Sequence, residues 1–559
     1  MNRFQCSEGS AMLFRNSFGL SVSLTVVLAS LWMFGPAGQT LCAADAAEAA
    51  GPLRIGWAST DITPEKPVVL VGFSSARISE GVLDPITATA LVLESGRDGK
   101  PDEIAILVSV DLVGIGNDLR DLVRKKVGQA VPEIDVAKIV LNATHTHCAP
   151  AYSTSPDMTE KLAKLGIDVS VQWSPWGIDM GVMSPVEYIE FAAGRIAGAI
   201  EQAWKSRRPG GVSFGLSHAV VGHNRLTAYY DGHSQMYGAT NRPDFSHVEG
   251  YEDHAVNLLY TWDGDGKLTG VAINVACPSQ VSGGSRITAD YWHDARNELR
   301  QRLGERLFVL PQCSAAGDQS PVVMVEKSAE SRMERLSGRN RRQQIAVRIA
   351  DAVTAILPAM EKHIERAPVL VHRVAEVELS RRQLSEADIK TPRATHHRPQ
   401  VESVEQAFER LLGEYRKLRQ ELEAQPERKQ KRGWFGPITA VYWRLARASR
   451  VLDRYELQKT QPTMPVPVHV IRLGEMVIAT NPFELYLDFG AQMKARSKAV
   501  QTFVVELADG GGFGYLPTQR SVAGGAYGAI PESTLIGPDG GRQLVERTLE
   551  LIASVWADE

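Results

Sequence analysis

Short apolar runs alternate along the chain with stretches whose apolar residues recur every three or four positions. The runs at 54–58, 88–94, 104–110, 212–216, 256–261, 268–276 and 307–310 read as strands, and those at 466–472 and 476–480 continue the series late in the chain. The periodic stretches at 117–127, 185–205, 290–303 and 339–364 read as helices, and a last helix is predicted over 542–556. Strands interleaved with helices predict an α/β fold of packed mixed β-sheets flanked by helices. No internal repeat interrupts the pattern.

The texture changes over 401–450, where charged, heptad-like sequence runs with few turn residues except at Gln425-Pro426 and from Gly433 to Pro437. That predicts a helical hairpin inserted into the body. Its second arm mixes Tyr442 and Trp443 with Arg444, Arg447 and Arg450. This suits membrane-surface contact through 434–450, or a lid or partner-facing role.

Of 559 residues, 44% are hydrophobic and 23% charged, with a formal net charge of −4, so a large core is within reach and no basic footprint for nucleic acid exists. The N-terminus differs from the rest. Arg3 and Arg15 precede an apolar stretch, 18–34, and a small-residue segment, which reads as a secretory signal cut near Ala44 or Ala46. A single membrane anchor is the alternative, disfavoured by its shortness and by Gly35-Pro36. Gln39 stands where a lipoprotein signal carries leucine before Cys42. The expected location is secreted or periplasmic. Cys6 and Cys42 leave with the signal, and Cys148, Cys277 and Cys313 remain: one bridged pair with a free thiol, or three packing cysteines.

Candidate chemistry begins with Leu141-Asn-Ala-Thr-His-Thr-His-Cys-Ala-Pro150, which follows the apolar run 136–140. If that run is a strand, His145 and His147 point the same way at its end, as metal ligands or acid/base groups. Both rings as ordinary loop histidines is the plain alternative. Gln312-Cys-Ser-Ala-Ala-Gly-Asp-Gln-Ser-Pro321 follows another short strand, and its small residues leave Asp318 and Ser320 uncovered. Asp and Ser in turns also bond their own backbone. Glu484 falls between a strand and a helix, where the helix dipole alone accounts for a carboxylate. Tyr515 and Tyr527 each sit among glycines, which permit close backbone approach to a ligand or ion.

Thr60-Asp-Ile-Thr-Pro64, Ser109-Val-Asp-Leu112, Thr144-His-Thr-His147, Asn224-Arg225, Gly317-Asp-Gln-Ser-Pro321, Glu484 and Gly514-Tyr515, taken in that order, resemble the neutral ceramidase family of secreted zinc amidases. The resemblance implies a Zn2+ ion on His145, Glu484 and Tyr515, with His147 handling protons or stabilising an oxyanion. It further implies Tyr527 at the reacting carbonyl, Arg225 lining the site, and Ser320 as nucleophile or positioning hydroxyl. The family's second zinc histidine is missing, because Pro278 stands where it belongs in Asn274-Val-Ala-Cys-Pro-Ser-Gln280. His293, oriented by Asp290 or Asp294, is the favoured replacement; Cys277 as thiolate, or a weak or missing zinc, are the others. The chain also stops after one helix where true ceramidases continue into a β-sandwich, and the hairpin is not a family feature.

The resulting expectation is a leader at 1–46, a catalytic body at 47–400, the hairpin at 401–460 and completion of the body at 461–559. Its function would be secreted, zinc-dependent cleavage of an N-acyl, ceramide-like bond in a lipid-like or other amphiphilic substrate. The alternatives are an envelope-associated binding protein with a degenerate metal site, and a metal-free serine esterase using Ser320 with His147.

Overall fold

In the computed structural model, residues 51–557 are described, apart from 98–99, 155, 171–172, 174–175, 396–397 and 511. The leader expected over 1–46, with Cys6 and Cys42, lies outside the described residues.

Eight strands make the larger sheet: β1 (Leu53–Asp61), β2 (Thr87–Arg97), β3 (Lys100–Val110), β4 (Ile139–Ala143), β5 (Arg208–His218), β6 (Ala255–Asp263), β7 (Leu268–Val275) and β8 (Phe308–Cys313). Their order is β8-β7-β6-β5-β1-β2-β3-β4. Neighbours are antiparallel except at the two edges, where β4 runs parallel to β3 and β8 parallel to β7. A second sheet, ordered β9 (Leu370–Ser380), β10 (Thr463–Leu473), β11 (Met476–Thr480) and β12 (Gln501–Val505), ends in a parallel β11–β12 pair.

Strand alternation explains how the layers stack. On β2, Ala90 and Val92 face helices α1 (Asn117–Ala130) and α2 (Pro185–Lys205), whereas Leu91 and Leu93 face Ile471, Met476 and Phe503 of the second sheet. Ile106 and Val108 against Ala105 and Leu107 repeat the division on β3. Both faces are buried, so these strands read as continuous apolar runs rather than alternating ones. Helices α3 (Tyr291–Leu303) and α4 (Arg341–Met360) cover the β6–β8 half of the first sheet. The outer face of the second sheet packs against α7 (Leu487–Arg496) and α8 (Pro538–Ser554).

The two edges of the larger sheet approach each other, and Asn142 Nδ2 on β4 donates to the Pro311 carbonyl on β8 at 3.1 Å. The chain leaving β12 stitches them together: Glu506 N donates to Cys313 O (3.0 Å), Ala143 N to Leu507 O (3.2 Å) and Asp509 N to Leu141 O (2.9 Å). The C-terminal ends of β4, β8, β11 and β12 are thereby gathered into one place.

The hairpin consists of α5 (Val404–Ala424), opened by a Ser403/Gln406 capping box, and α6 (Gly436–Leu457). It lies against the segment holding Met158, Leu162, Ile167 and Val169. The Tyr415 hydroxyl donates to Gly177 O at 2.8 Å, and Thr439 Oγ1 accepts from Ala76 N at 3.2 Å. Much of the apolar face that suggested membrane-surface contact at 434–450 is turned toward the body. Ile438, Val441, Tyr442 and Leu445 are buried against the body, and no exposed large apolar side chain falls in that range. No helix among the described residues is long and apolar enough to cross a membrane.

Other expectations also shift. The run 136–140 is not one strand: Asp135 caps a turn of 3-10 helix, Val136–Lys138, before β4 begins. Strands β9 and β12 and the helix Lys327–Ser337 were not foreseen. Among the described residues no cysteine pair is bridged; Cys148, Cys277 and Cys313 are free and buried.

Candidate functional site

Because β4 ends at Ala143, His145 and His147 sit beyond it in a turn, not in strand alternation. His145 takes the left-handed conformation, φ 67°. The turn is held from below. Thr144 N donates to Val110 O (3.0 Å) and His145 N to Leu112 O (2.9 Å). Between those carbonyls the buried Asp111 carboxylate accepts both Nη atoms of Arg296 on α3, at 2.8 and 3.0 Å, and the Thr144 hydroxyl at 3.2 Å. Such bidentate pairing fixes position as well as charge.

His145 Nδ1 meets the Val113 carbonyl at 2.5 Å, so Nδ1 carries the proton and Nε2 presents a lone pair. That lone pair faces Glu484 Oε2 at 3.5 Å and His147 Nε2 at 3.4 Å. Glu484 opens the short strand Glu484–Leu485, which pairs in parallel with Tyr515–Leu516 and so sets the two side chains together. That register brings the Tyr515 phenol close enough for the Glu484 charge to act on it. Arg225 Nη2 stands 4.0 Å from Glu484 Oε2. Burial works against the Glu484 anion, but the His145 ring, the Arg225 guanidinium and the Tyr515 hydroxyl together hold its carboxyl below the usual range. Burial, then the Glu484 charge, pushes the Tyr515 phenol up.

Can these donors take zinc? Ligands about 2.0–2.1 Å from a tetrahedral ion lie about 3.3–3.4 Å from each other, and the His145–Glu484 separation of 3.5 Å is close to that edge. An imidazole lone pair facing a carboxylate is also an arrangement that a cation relieves. Among the described residues no three His, Cys, Asp or Glu side chains form such a group. The set here draws its third donor from a phenol. Imidazole, carboxylate and phenol leave the open position of a catalytic site, so the donor set fits.

No family model matches the sequence, and no curated protein matches it. Solved structures do match the fold. The neutral ceramidase from Pseudomonas aeruginosa superposes with a TM-score of 0.59 at 16% identity, covering 90% of this chain and 74% of that one. A ceramidase complexed with C2 gives 0.60 at 15%, covering 90% and 75%. The chain has the neutral ceramidase fold.

Within that fold, His147 is held by Gln280. Gln280 Oε1 accepts from Arg225 Nη1 at 3.1 Å, which orients the amide so that its Nε2 donates to His147 Nε2 at 3.0 Å. Burial, then the neighbouring His145 ring and the Arg225 guanidinium, keeps His147 well below the ordinary histidine range and therefore neutral. Tyr527 stands edge-on to Tyr515, ring centroids 5.7 Å apart, and burial raises its phenol.

Three expected residues do not join the cluster. His293 lies on α3 with Nε2 against Asn297 of the same helix at 2.9 Å, and no contact links it to His145, Glu484 or Tyr515. Its first-turn position turns the ring along its own helix. Cys277 is buried beside the Val221 carbonyl, and burial raises its thiol far above the range at which it ionises. Ser320 is fully buried, and its Oγ accepts from Val322 N at 2.9 Å; no hydrogen bond joins it to His147.

Gln280, Tyr237, Phe73 and Arg77 were missed. Tyr237 donates to Gln280 Oε1 at 3.4 Å, and Phe73 meets the His147 ring edge-on at 5.8 Å. Arg77 donates to the His147 carbonyl at 2.5 Å. Only nearness to the altered Pro278 segment could have flagged Gln280; the others carry no motif.

Proposed function

We propose that the protein is a metal-dependent hydrolase that cleaves the N-acyl bond of an amphiphilic amide. The observation that carries this reading is the convergence of His145, Glu484 and Tyr515 from three distant segments, with a lone pair and a carboxylate 3.5 Å apart. A zinc ion held by those three would polarise a carbonyl and lower the pKa of a water to about 7. His147, neutral with its Nε2 beside that of His145, takes a proton from the attacking water and returns it to the leaving nitrogen. Tyr527 donates to the oxygen on which charge develops, and Arg225 holds Glu484 and Gln280 in place. The likeness to a ceramidase complexed with C2 supports a lipid-like substrate. The N-terminal segment supports export.

The serine esterase alternative loses support, because Ser320 and His147 share no hydrogen bond. The binding-protein alternative draws on the absence of His293 and Cys277 from the cluster. A panel of N-acyl amides and simple esters, run with and without a chelator, separates the three. Chelator-sensitive amide hydrolysis supports the proposal, chelator-resistant ester hydrolysis supports the esterase, and binding without turnover supports the third.

A further inference from the structure

The segment Tyr527–Thr534 packs directly on the candidate site. Gly514, the residue before Tyr515, bridges to Thr534, and a Cβ at Gly514 would lie 2.5 Å from the Ser533 carbonyl. Four guanidinium groups wrap this segment. Arg382 donates to Ala529 O (2.5 Å) and Thr534 Oγ1 (2.8 Å), Arg447 to Glu532 O (2.8 Å), and Arg454 to Pro531 O (2.6 Å) and Thr534 O. The fourth, Arg398, pairs with the Glu532 carboxylate at 2.7 Å. Nearby, Arg393 is matched by Asp388 at 2.8 Å. Arg382, Arg447 and Arg454 have no carboxylate partner among the described residues, which leaves an excess of three positive charges around eight residues. Carbonyl stapling accounts for their geometry but not for the uncompensated charge. The crowding is felt by the groups themselves: burial, then Arg382, lowers the Arg454 guanidinium.

One of the three is placed to meet a ligand. Arg447 stands on α6, partly exposed, 4.3 Å over the ring of Trp443, and its Nη1 reaches Glu532 O of the segment that opens with Tyr527. Tyr527 in turn abuts Tyr515. A partly buried, unpaired guanidinium at the edge of a reaction site selects an anion.

We propose that the amide this site takes carries an anionic group, a carboxylate or a phosphate, within a few bonds of the scissile nitrogen, and that Arg447 on the inserted hairpin reads it. The proposal deepens the hydrolase reading and rests on it for the scissile bond. It distinguishes this chain's substrate from a neutral amide alcohol.

The test compares N-lauroylglycine, N-lauroylethanolamine phosphate and neutral N-lauroylethanolamine below their micellar concentrations, by calorimetric binding and by hydrolysis. At least one anionic ligand is expected to be preferred by about tenfold or more in binding and in kcat/KM, mostly through KM, with the preference falling as salt is raised. Arg447→Gln should bring the ratio close to one, and Arg447→Lys should restore part of it; thermal melts confirm that both variants fold. Equal or weaker use of both anionic ligands, or an unchanged ratio in Arg447→Gln, overturns the proposal. If no amide is hydrolysed, the hydrolase reading fails, and the binding ratio still decides the anion proposal.

Discussion

Gly317→Ala tests the geometry of the site without removing any of its functional groups. A Cβ at residue 317 would lie 2.3 Å from the Glu484 carbonyl oxygen, 2.7 Å from its carbon and 3.0 Å from the Leu485 carbonyl carbon. Ordinary carbon–oxygen contacts begin at about 3.3 Å, so roughly 1 Å of separation has to be found. Neither side can give freely. Gly317 N donates to Leu485 O at 2.8 Å, and Gly317 O accepts from Arg225 Nη2 at 2.8 Å, so both the Glu484 strand and Arg225 are pinned to this residue. Overpacking of this kind costs about 1–3 kcal/mol, and a 1 Å displacement of a catalytic group costs about a hundredfold in rate. The expected variant folds with a lowered melting temperature, loses about two orders of magnitude in kcat/KM on an N-acyl amide, and binds zinc more weakly. Gly194→Ala on the exposed face of α2, where nothing lies within 4 Å, is the control and should stabilise by about 0.5–1 kcal/mol. Full zinc content and activity within threefold of wild type in Gly317→Ala would refute the argument that this glycine sets the Glu484 backbone.

Arg296→Met should destabilise by about 3–5 kcal/mol in urea melts by leaving the Asp111 carboxylate buried and unpaired, and adding Asp111→Asn should recover part of the loss. Asp318, buried with its carboxyl raised from 3.8 to about 6, is protonated in the folded protein at pH values where the unfolded chain has already ionised. Folding therefore takes up a proton in that window, and stability should fall by up to about 3 kcal/mol as pH rises from 4 to above 6; a flat or rising pH–stability curve that Asp318→Asn leaves unchanged would contradict this. His293→Ala should leave zinc content and activity unaltered, since the ring faces Asn297; lost metal would restore it as a ligand. Tyr442→Ala removes a buried ring packed on Gly177 and should cost about 3–5 kcal/mol, read as earlier proteolytic cleavage of the hairpin; unchanged protection would mean that the hairpin is held elsewhere.

Most strands and helices were legible because their apolar period survives burial: β1, β2, β3, β6 and α2 lie close to where the pattern places them. Boundaries failed where tertiary contacts override it. The apolar stretch 136–140 before the histidines divides after Lys138, because the Asp135 side chain caps a 3-10 turn over Val136–Lys138. Strand β9 was hidden because its exposed Arg373 and Val374 and its half-buried Ala375 blur the two-residue alternation. At the site, His145, Glu484 and Tyr515 were readable as parts of an ordered set of motifs. Gln280 was not, because its contact with His147 depends on the path of the chain after β7 rather than on any local pattern. His293 lies apart from that cluster for a related reason. Closeness in sequence to the altered segment says nothing about which way a first-turn helical ring points.

Metal analysis of the purified protein, beside His145→Ala and Glu484→Ala, bears most directly on the claim that one cation joins these segments. One zinc per chain in the wild type, with both variants losing it while keeping their fold, is the predicted result. A wild-type protein that takes up no metal under any loading condition, or two variants that retain it in full, would contradict the account.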